Sequence, residues 1–163
     1  MSVVVRKAKT DDIKTIQEIA KETWKLTYAF LPEGQMEFML NWMYSDDSLN
    51  EQMKNGHQFF LAENENEVLG FASVSKENEN LCKLNKIYVL PKAQKTGVGK
   101  ALFNEIMQFA KNNKATELQL QVNRNNSAKD FYLKFGFTIL YEADFEIGNG
   151  YFMNDYVMSL VLE

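Results

Sequence analysis

From Ile13 to Leu31, the positions Ile13, Ile16, Ala20, Trp24, Thr27 and Leu31 follow one another at steps of three and four. That spacing lays a single stripe along one face of a long helix. Thr10, Asp11 and Asp12 ahead of it offer an N-cap and an acidic first turn, and Pro32 with Gly34 ends it. Met36, Met39, Leu40 and Met43 predict a second helix, and "SDDSLNEQMKNG" a short third one before Gly56. The period then changes. "QFFLAE" and "VLGFASVS" are strand-like runs joined by the hairpin composition "NENE", and "LCKLNKIYVL", residues 81 to 90, is another strand closed by Pro91.

Val98, Leu102, Ile106, Phe109 and Ala110 describe an amphipathic helix. In "TELQLQV", Leu118, Leu120 and Val122 alternate with Glu117, Gln119 and Gln121, as in a strand with one buried face. Ala128, Phe131, Tyr132 and Phe135 form the stripe of a shorter helix, and Gly136 stands where a left-handed residue terminates it. "FTILYEADF" and "YFMNDYVMSLVL" are two last strands, and the β-branched Val3, Val4 and Val5 are the first. The order β, α, α, β, β, β, α, β, α, β, β predicts a mixed α/β domain spanning residues 1–163.

Composition narrows the function classes. The 163 residues carry 18 basic and 22 acidic side chains, a formal net charge of −4, which argues against a nucleic-acid surface. No apolar run approaches the roughly 20 residues that span a bilayer, and the N-terminus reads as strand and helix start rather than a secretion signal. The expected location is cytoplasmic, with no membrane partner. One cysteine, Cys82, and one histidine, His57, exclude an internal disulfide and a histidine or cysteine metal cluster. Cys82 is expected to be a small packed or edge residue, and His57 a structural or solvated one.

The candidate chemistry begins at "PKAQKTGVGKALF", residues 91 to 103. A P-loop needs Ser or Thr after the Gly-Lys pair and a glycine five positions before Gly99. Ala101 and Gln94 occupy those places. A dinucleotide fingerprint needs a third glycine where Leu102 stands, and a strand running straight into the turn. Two readings remain. Backbone N–H groups of the loop and of the helix start could hold an anion such as a pyrophosphate, Gly97 and Gly99 permitting close approach and positive φ. Equally, the loop could be a glycine-eased turn with solvated lysines.

"IYVLPKAQKTGVGKALF" resembles the acyl-CoA signature of the GNAT superfamily of N-acetyltransferases, a strand and V-x-P-like turn followed by Q/R-x-x-G-x-G/A and a helix. "NRNNSAKDFYLKFGF", residues 123 to 137, resembles that superfamily's second signature, N-x-x-A-x-x-F-Y-x-x-x-G-F. One helix and one alternating strand separate them, as in the family, and the element order matches nearly throughout. The nearest subgroup looks like the small bacterial acetyltransferases of polyamines and related amines. The resemblance implies a mostly antiparallel central sheet, flanked by helices and splayed between its fourth and fifth strands. It implies acetyl-CoA as cosubstrate, with no metal. Backbone groups of Ile87, Tyr88 and Val89 would pair with pantetheine. Gln94, Lys95, Thr96, Gly97, Val98, Gly99 and Lys100 would cradle the pyrophosphate. Asn123, Arg124 and Asn125 would line the cofactor's other side, and Lys134 would reach a phosphate. Tyr132 matches the family's usual general acid.

Acetyl transfer to an amine needs a proton removed from an ammonium of pKa ~10.4, an oxyanion stabilised, here by an N–H near Val89, and a proton for the leaving thiolate, which a phenol can give. Many relatives carry a Glu on the strand before the glycine loop. Here that strand reads Lys83, Leu84, Asn85, Lys86. The base is then water relayed through Asn85 or backbone, or an acid such as Glu22, Glu142, Asp144 or Glu146. Asn125 is also a candidate helix N-cap. The expected acceptor pocket draws on "TWKLTYAFLP" and "YEADFEIGNGYF", with Trp24, Tyr28, Asn85 and Tyr151 as substrate contacts. Rings there suit an alkylammonium, and are equally core material. The expected partner is a small-molecule or peptide amine, a polyamine favoured. A homodimer is a further expectation, because β-edges pair. Alternatives are acetylation of a protein N-terminus or lysine, and a non-catalytic acyl-CoA sensor.

Overall fold

A computed structural model describes residues 2–32 and 34–163. Its strands are β1 (Val4–Lys7), β2 (Gln58–Glu63), β3 (Val68–Lys76), β4 (Leu81–Val89), β5 (Glu117–Asn123), β6 (Thr138–Gly148) and β7 (Tyr151–Val161). Its helices are α1 (Ile13–Thr27), α2 (Gln35–Tyr44), α3 (Asp46–Lys54), α4 (Val98–Asn112) and α5 (Ala128–Phe135). The strands form one sheet in the order β1-β2-β3-β4-β5-β7-β6. Every pairing is antiparallel except β4 with β5.

Alternation along the strands divides the interior in two. Phe59 and Leu61 of β2 join Phe71, Ile16, Ala20, Trp24 and Leu49 under α1 to α3. Phe60 and Ala62 face the other way, onto Leu102, Phe103 and Ile106 of α4. The sheet is thus buried on both faces near its centre, as expected where helices cover both sides. Cys82 lies in the α4 core and is fully buried.

Local departures from the sequence reading have physical causes. The third helix is a full element, because Ser45 Oγ accepts the Ser48 N–H at 3.1 Å and caps it. Asp12 does not cap α1 with its side chain. Its carboxylate instead accepts hydrogen bonds from the Lys9 N–H at 2.8 Å and from the two terminal guanidinium nitrogens of Arg6, at 2.9 and 3.0 Å. At α5, Asn126 Oδ1 accepts the Ala128 N–H at 2.9 Å, so Asn126 serves the helix start in place of Asn125. Gly136 closes that helix with φ 118°, as expected.

The feature that positions the site lies in β4. Ser73 pairs with Lys86 but Val74 pairs with Leu84, leaving Asn85 as an extra residue. Such a bulge bends its strand and increases the twist. β4 and β5 are paired only from Leu81–Leu84 against Glu117–Leu120. Beyond the bulge β4 stays with β3 as far as Val89, whereas β5 stays with β7 as far as Asn123. The sheet forks there, between its fourth and fifth strands.

Gly70 opposes Val89 at the far end of this arm. A Cβ there would stand 2.8 Å from the Tyr88 carbonyl oxygen and 3.2 Å from Val89 Cα, both backbone atoms. Gly70→Ala is therefore expected to cost about 2 kcal/mol, as overpacking does. The thermal midpoint followed by circular dichroism should fall by roughly 4–8 °C.

Candidate active site

Three spaces meet at the fork. The largest, about 740 Å³, is a groove along the end of β4, between the C-terminal half of α1, the start of α4 and the start of α5. Ile87, Tyr88, Val89, Gln94, Gly99, Asn125 and Tyr132 line it, as the sequence led one to expect. Thr23 and Thr27 of α1 and Phe30 just beyond it, with Asn126 and Phe131, line it too and were not foreseen. On the side of α1 and α2 lies a second pocket of about 210 Å³, bounded by β4, β5 and β7. A slot of about 50 Å³ between the diverging strands touches Tyr28, Tyr88, Asn126 and Tyr132.

No strand pairs with the β5-facing edge of β4 beyond Leu84 among the described residues. The edge therefore offers backbone hydrogen-bonding groups to an extended ligand. At its end the chain turns through Pro91–Ala93 and reaches α4 by way of Lys95 at φ 64° and Gly97 at φ 94°. Gly99 does not share the positive φ expected of it, since it already belongs to α4. The first intrahelical bond runs from the Ala101 N–H to the Gly97 carbonyl, 3.0 Å, so the N–H groups of Val98, Gly99 and Lys100 have no helical acceptor. The side chain of Val98 points into the α4 core. Thr96 donates its hydroxyl to the Ala93 carbonyl, and Gln94 Nε2 donates to the Val89 carbonyl at 3.2 Å, which together fix the loop. Lys95 and Lys100 are exposed. A fifteen-residue helix presenting free N–H groups to a groove is suited to an anion.

Tyr132 lies on α5 with its ring against Phe131 and Phe137, at centroid distances of 5.6 Å each. It lines both the groove and the slot, and its hydroxyl makes no hydrogen bond to another described residue. Burial holds the phenol well above its ordinary pKa, with Tyr28 adding to the effect. Tyr28 and Tyr88 share a hydrogen bond of 2.9 Å between hydroxyls, and burial raises both.

The second pocket is walled by rings. Trp24 meets Tyr28, Tyr44 and Tyr88 at centroid distances of 4.6, 5.8 and 6.0 Å. Its two unusual members are charged. Lys86 donates to Gln52 Oε1 at 2.6 Å and sits 5.5 and 5.6 Å from the ring centres of Tyr44 and Phe59. No carboxylate pairs with it among the described residues. Burial, with Lys83 assisting, pushes its amine down to about 8. Asp155 of β7 is 1% exposed, and no hydrogen bond reaches its Oδ2. Burial pushes its carboxyl up to about 6, against the opposing pull of Arg124 and Lys83.

The structure brings some expected site residues together and not others. Trp24, Tyr28 and Asn85 line the second pocket. Asn123 lines it as well, rather than the groove, because it pairs with Asp155 across β5 and β7. Asn85 has its amide committed to Ser75 Oγ at 2.9 Å. Arg124 is ion-paired with Asp144. Tyr151 lines neither space and packs on Phe38 of α2, 5.3 Å between centroids. Lys134 is exposed on α5 and lines neither space. Glu22, Glu142, Asp144 and Glu146 are all exposed and line neither space, so none is placed to act as a base. The residue the sequence reading missed is Asp155. Its signal was alternation in "NDYVMSLVL", which sets an acid on the same strand face as Val157 and Ser159, in a run otherwise poor in charge.

Residues 26–160 match the acetyltransferase (GNAT) domain family. A spermidine N(1)-acetyltransferase of Thermoplasma acidophilum is 32% identical over 146 residues, covering 85% of this chain and 90% of that one. The crystal structure of the PaiA N-acetyltransferase from Thermoplasma acidophilum in complex with coenzyme A is 28% identical, with a TM-score of 0.83 over 99% of this chain and 100% of that one. A GCN5-related N-acetyltransferase structure from Rhodopseudomonas palustris has a TM-score of 0.84 at 19% identity, covering 99% and 97%, and shares the fold. With both signature segments at the fork and the family match spanning most of its length, the chain belongs to the GNAT family of acetyltransferases.

Proposed function

We propose that this protein transfers the acetyl group of acetyl-CoA to a primary amine of a small cationic molecule, a polyamine being the favoured acceptor. The observation that carries the reading is the unpaired edge of β4, running between the anion-suited start of α4 and the free hydroxyl of Tyr132. Ile87, Tyr88 and Val89 supply main-chain groups to the pantetheine amides. Loop residues Gln94 to Lys100 hold the pyrophosphate by their N–H groups, while Lys95 and Lys100 are free to meet further phosphate. Asn125 and Asn126 close the groove's other wall. Arg124, ion-paired with Asp144, and Lys134 line neither space and are given no part in this reading.

Acceptor and thioester meet at the slot. An amide of the open β4 edge near Val89 stabilises the carbonyl oxygen as it gains charge. Tyr132, kept protonated by burial, gives its proton to the departing thiolate and regains one from the new amide nitrogen. Holding both substrates across the fork supplies much of the acceleration. Ammonium recognition rests on the faces of Tyr28, Tyr88 and Trp24. Lys83 and Lys86 line the same pocket and repel cations, which leaves the Asp155 side as the favourable one. The acceptor class is also supported by the spermidine acetyltransferase among the relatives.

Release of free thiol from acetyl-CoA, measured with spermidine and with amino-terminal peptides, tests the reading. Spermidine is expected to be turned over well and peptides poorly; the reverse would assign the acceptor to proteins, and no release with any amine would sink catalysis. Tyr132→Phe should lower kcat by roughly 10²–10³-fold while leaving the thermal shift produced by acetyl-CoA intact. Because burial raises the phenol, the unaltered protein should show no alkaline loss of rate from Tyr132 up to about pH 10. Gly99→Val places a branched side chain in the groove. It should raise KM for acetyl-CoA by about tenfold or more, equivalent to at least ~1.4 kcal/mol, with kcat changed far less.

A further inference from the structure

The proton on the incoming ammonium needs a destination, and β4 carries no acid to receive it. We propose that Asp155 on β7 is the proton acceptor for the attacking amine, binding the acceptor's ammonium in the pocket beneath α1 and α2. This rests on the acetyltransferase reading and deepens it.

Four observations converge on this carboxylate. It is buried and lines the pocket, and its Oδ2 has no partner among the described residues. A buried carboxylate without a partner is costly unless something present only part of the time satisfies it. Of the two cations that lower its pKa, Arg124 is ion-paired with Asp144, and neither Arg124 nor Lys83 forms an ion pair with Asp155. The position is also right. Asp155 pairs with Asn123 at the end of β5, where the fork is open, and its field is felt at the Tyr28 hydroxyl, itself bonded to Tyr88 beside the slot. An ammonium held by Asp155 against the rings of Tyr28 and Tyr88 therefore stands on the opposite side of the slot from the groove that Tyr132 lines. No other carboxylate lines either the pocket, the slot or the groove.

The step balances without a further reactant. The alkylammonium gives one proton to the Asp155 carboxylate, and the free amine attacks the thioester carbonyl carbon. The C–N bond forms and the C–S bond breaks. The nitrogen's second proton passes to Tyr132 as Tyr132 protonates the thiolate, and Asp155 returns its proton to solvent. The products are the acetamide, CoA thiol and one proton.

Charged and titratable groups face Asp155 from each neighbouring element. Tyr28 comes from the residue that ends α1, Tyr44 from α2, Lys83, Lys86 and Tyr88 from β4, and Arg124 with its partner Asp144 from the end of β5 and from β6. The cations lower its pKa and burial raises it, burial being the larger effect. The carboxyl is thus ionised above about pH 6 and protonated below it. Its folded-state pKa exceeds the ordinary value near ~3.9, so ionisation works against folding. Stability attributable to this group falls as pH rises from about 4 to about 6 and stays lower above that.

Asp155→Asn keeps the shape and removes both the charge and the basicity. Its melting midpoint at pH 8 is expected to equal or exceed that of the unaltered protein, and acetyl-CoA should still raise it. Spermidine added to the CoA-bound protein should raise the midpoint of the unaltered protein and not that of the variant. With spermidine and acetyl-CoA at pH 7, kcat/KM should fall by at least a hundredfold. The rise of rate with pH, centred near 6 in the unaltered protein, should move in the variant towards the amine's own pKa of ~10.4. An aromatic amine, uncharged at neutral pH, should lose much less. Turnover by the unaltered protein combined with an undiminished variant of unchanged pH profile overturns the role of Asp155 alone. A variant that loses rate equally with charged and uncharged amines, or that no longer responds to acetyl-CoA, makes the residue structural and overturns the proposal likewise. Absence of turnover with every amine in the unaltered protein removes the acetyltransferase reading, and this proposal with it.

Discussion

The site depends on one residue too many in β4. Inserting Asn85 between partners of Val74 and Ser73 ends the parallel pairing with β5 after four residues a side. An extra residue in a strand would ordinarily be a defect, and here it is held by bonds of its own. The Asn85 amide donates to Ser75 Oγ at 2.9 Å, a β3 hydroxyl two positions from the bulge. The close approach at Gly70 keeps the released arm of β4 on β3. Without the bulge, β4 and β5 would continue in register, their main chains would satisfy each other, and neither groove nor slot would exist. The backbone groups freed by the fork are costly to leave unpaired in a dry interior, and the open groove beside them gives water or ligand access.

The fork also sorts side chains by chemistry. Past the bulge, Ile87 and Val89 pack towards the α4 core, whereas Tyr88 packs with Phe71 and Trp24 on the side of α1. The same alternation puts Leu118, Leu120 and Val122 on the α4 side. Their alternates Gln121 and Asn123 then fall on the α1 side with Asp155, which pairs with Asn123. One face of the divided sheet is thus apolar and anchors a helix whose N-terminus attracts anions. The other is polar and ringed by aromatics. In the proposed reading the phosphates of acetyl-CoA meet the start of that helix, and a cationic amine meets the second face.

How much of this the sequence disclosed follows from the range of the forces involved. The strands, the helices and the loop at 91–99 are local, set by periodicity, glycine and capping, and were legible. The third helix was visible only as a candidate because its stability rests on one Ser45 cap and on Leu49, which is buried in the α1 core. The bulge was invisible. Nothing in "LCKLNKIYVL" marks Asn85 as unpaired, since its pairing is decided by β3, a separate strand. Asp155 was missed for a related reason. A charged residue in a strand reads as solvent-facing by default, and only the placement of α1 and α2 over the end of β7 makes this one buried. Tyr151 erred in the other direction: its ring suited a pocket, but the β6–β7 hairpin carries it onto Phe38, while the carbonyl of Phe152 takes a 2.7 Å bond from Gln35 Nε2.

Burial acts on two protic groups in the same sense and gives them opposite uses. Removing water from Tyr132 raises its pKa, so the phenol stays a donor throughout the range in which a thiolate needs a proton. Removing water from Asp155 also raises its pKa, but from the carboxylate range to about 6. There the group remains ionised in most molecules at neutral pH while becoming a better proton acceptor than an exposed aspartate. Neither shift requires a dedicated charge partner. The fork supplies both at once, because separating β4 from β5 opens a narrow slot bounded by Tyr28, Tyr88 and Tyr132, groups too buried to ionise. A glutamate on β4 would reach this slot along the strand proposed to bind the pantetheine. Asp155 on β7 instead lines the neighbouring pocket under α1 and α2, where Lys83 and Lys86 on β4 would oppose any second positive charge drawn towards that strand. With the acid across the fork from the two lysines, an ammonium entering this pocket would be favoured at a single, defined end.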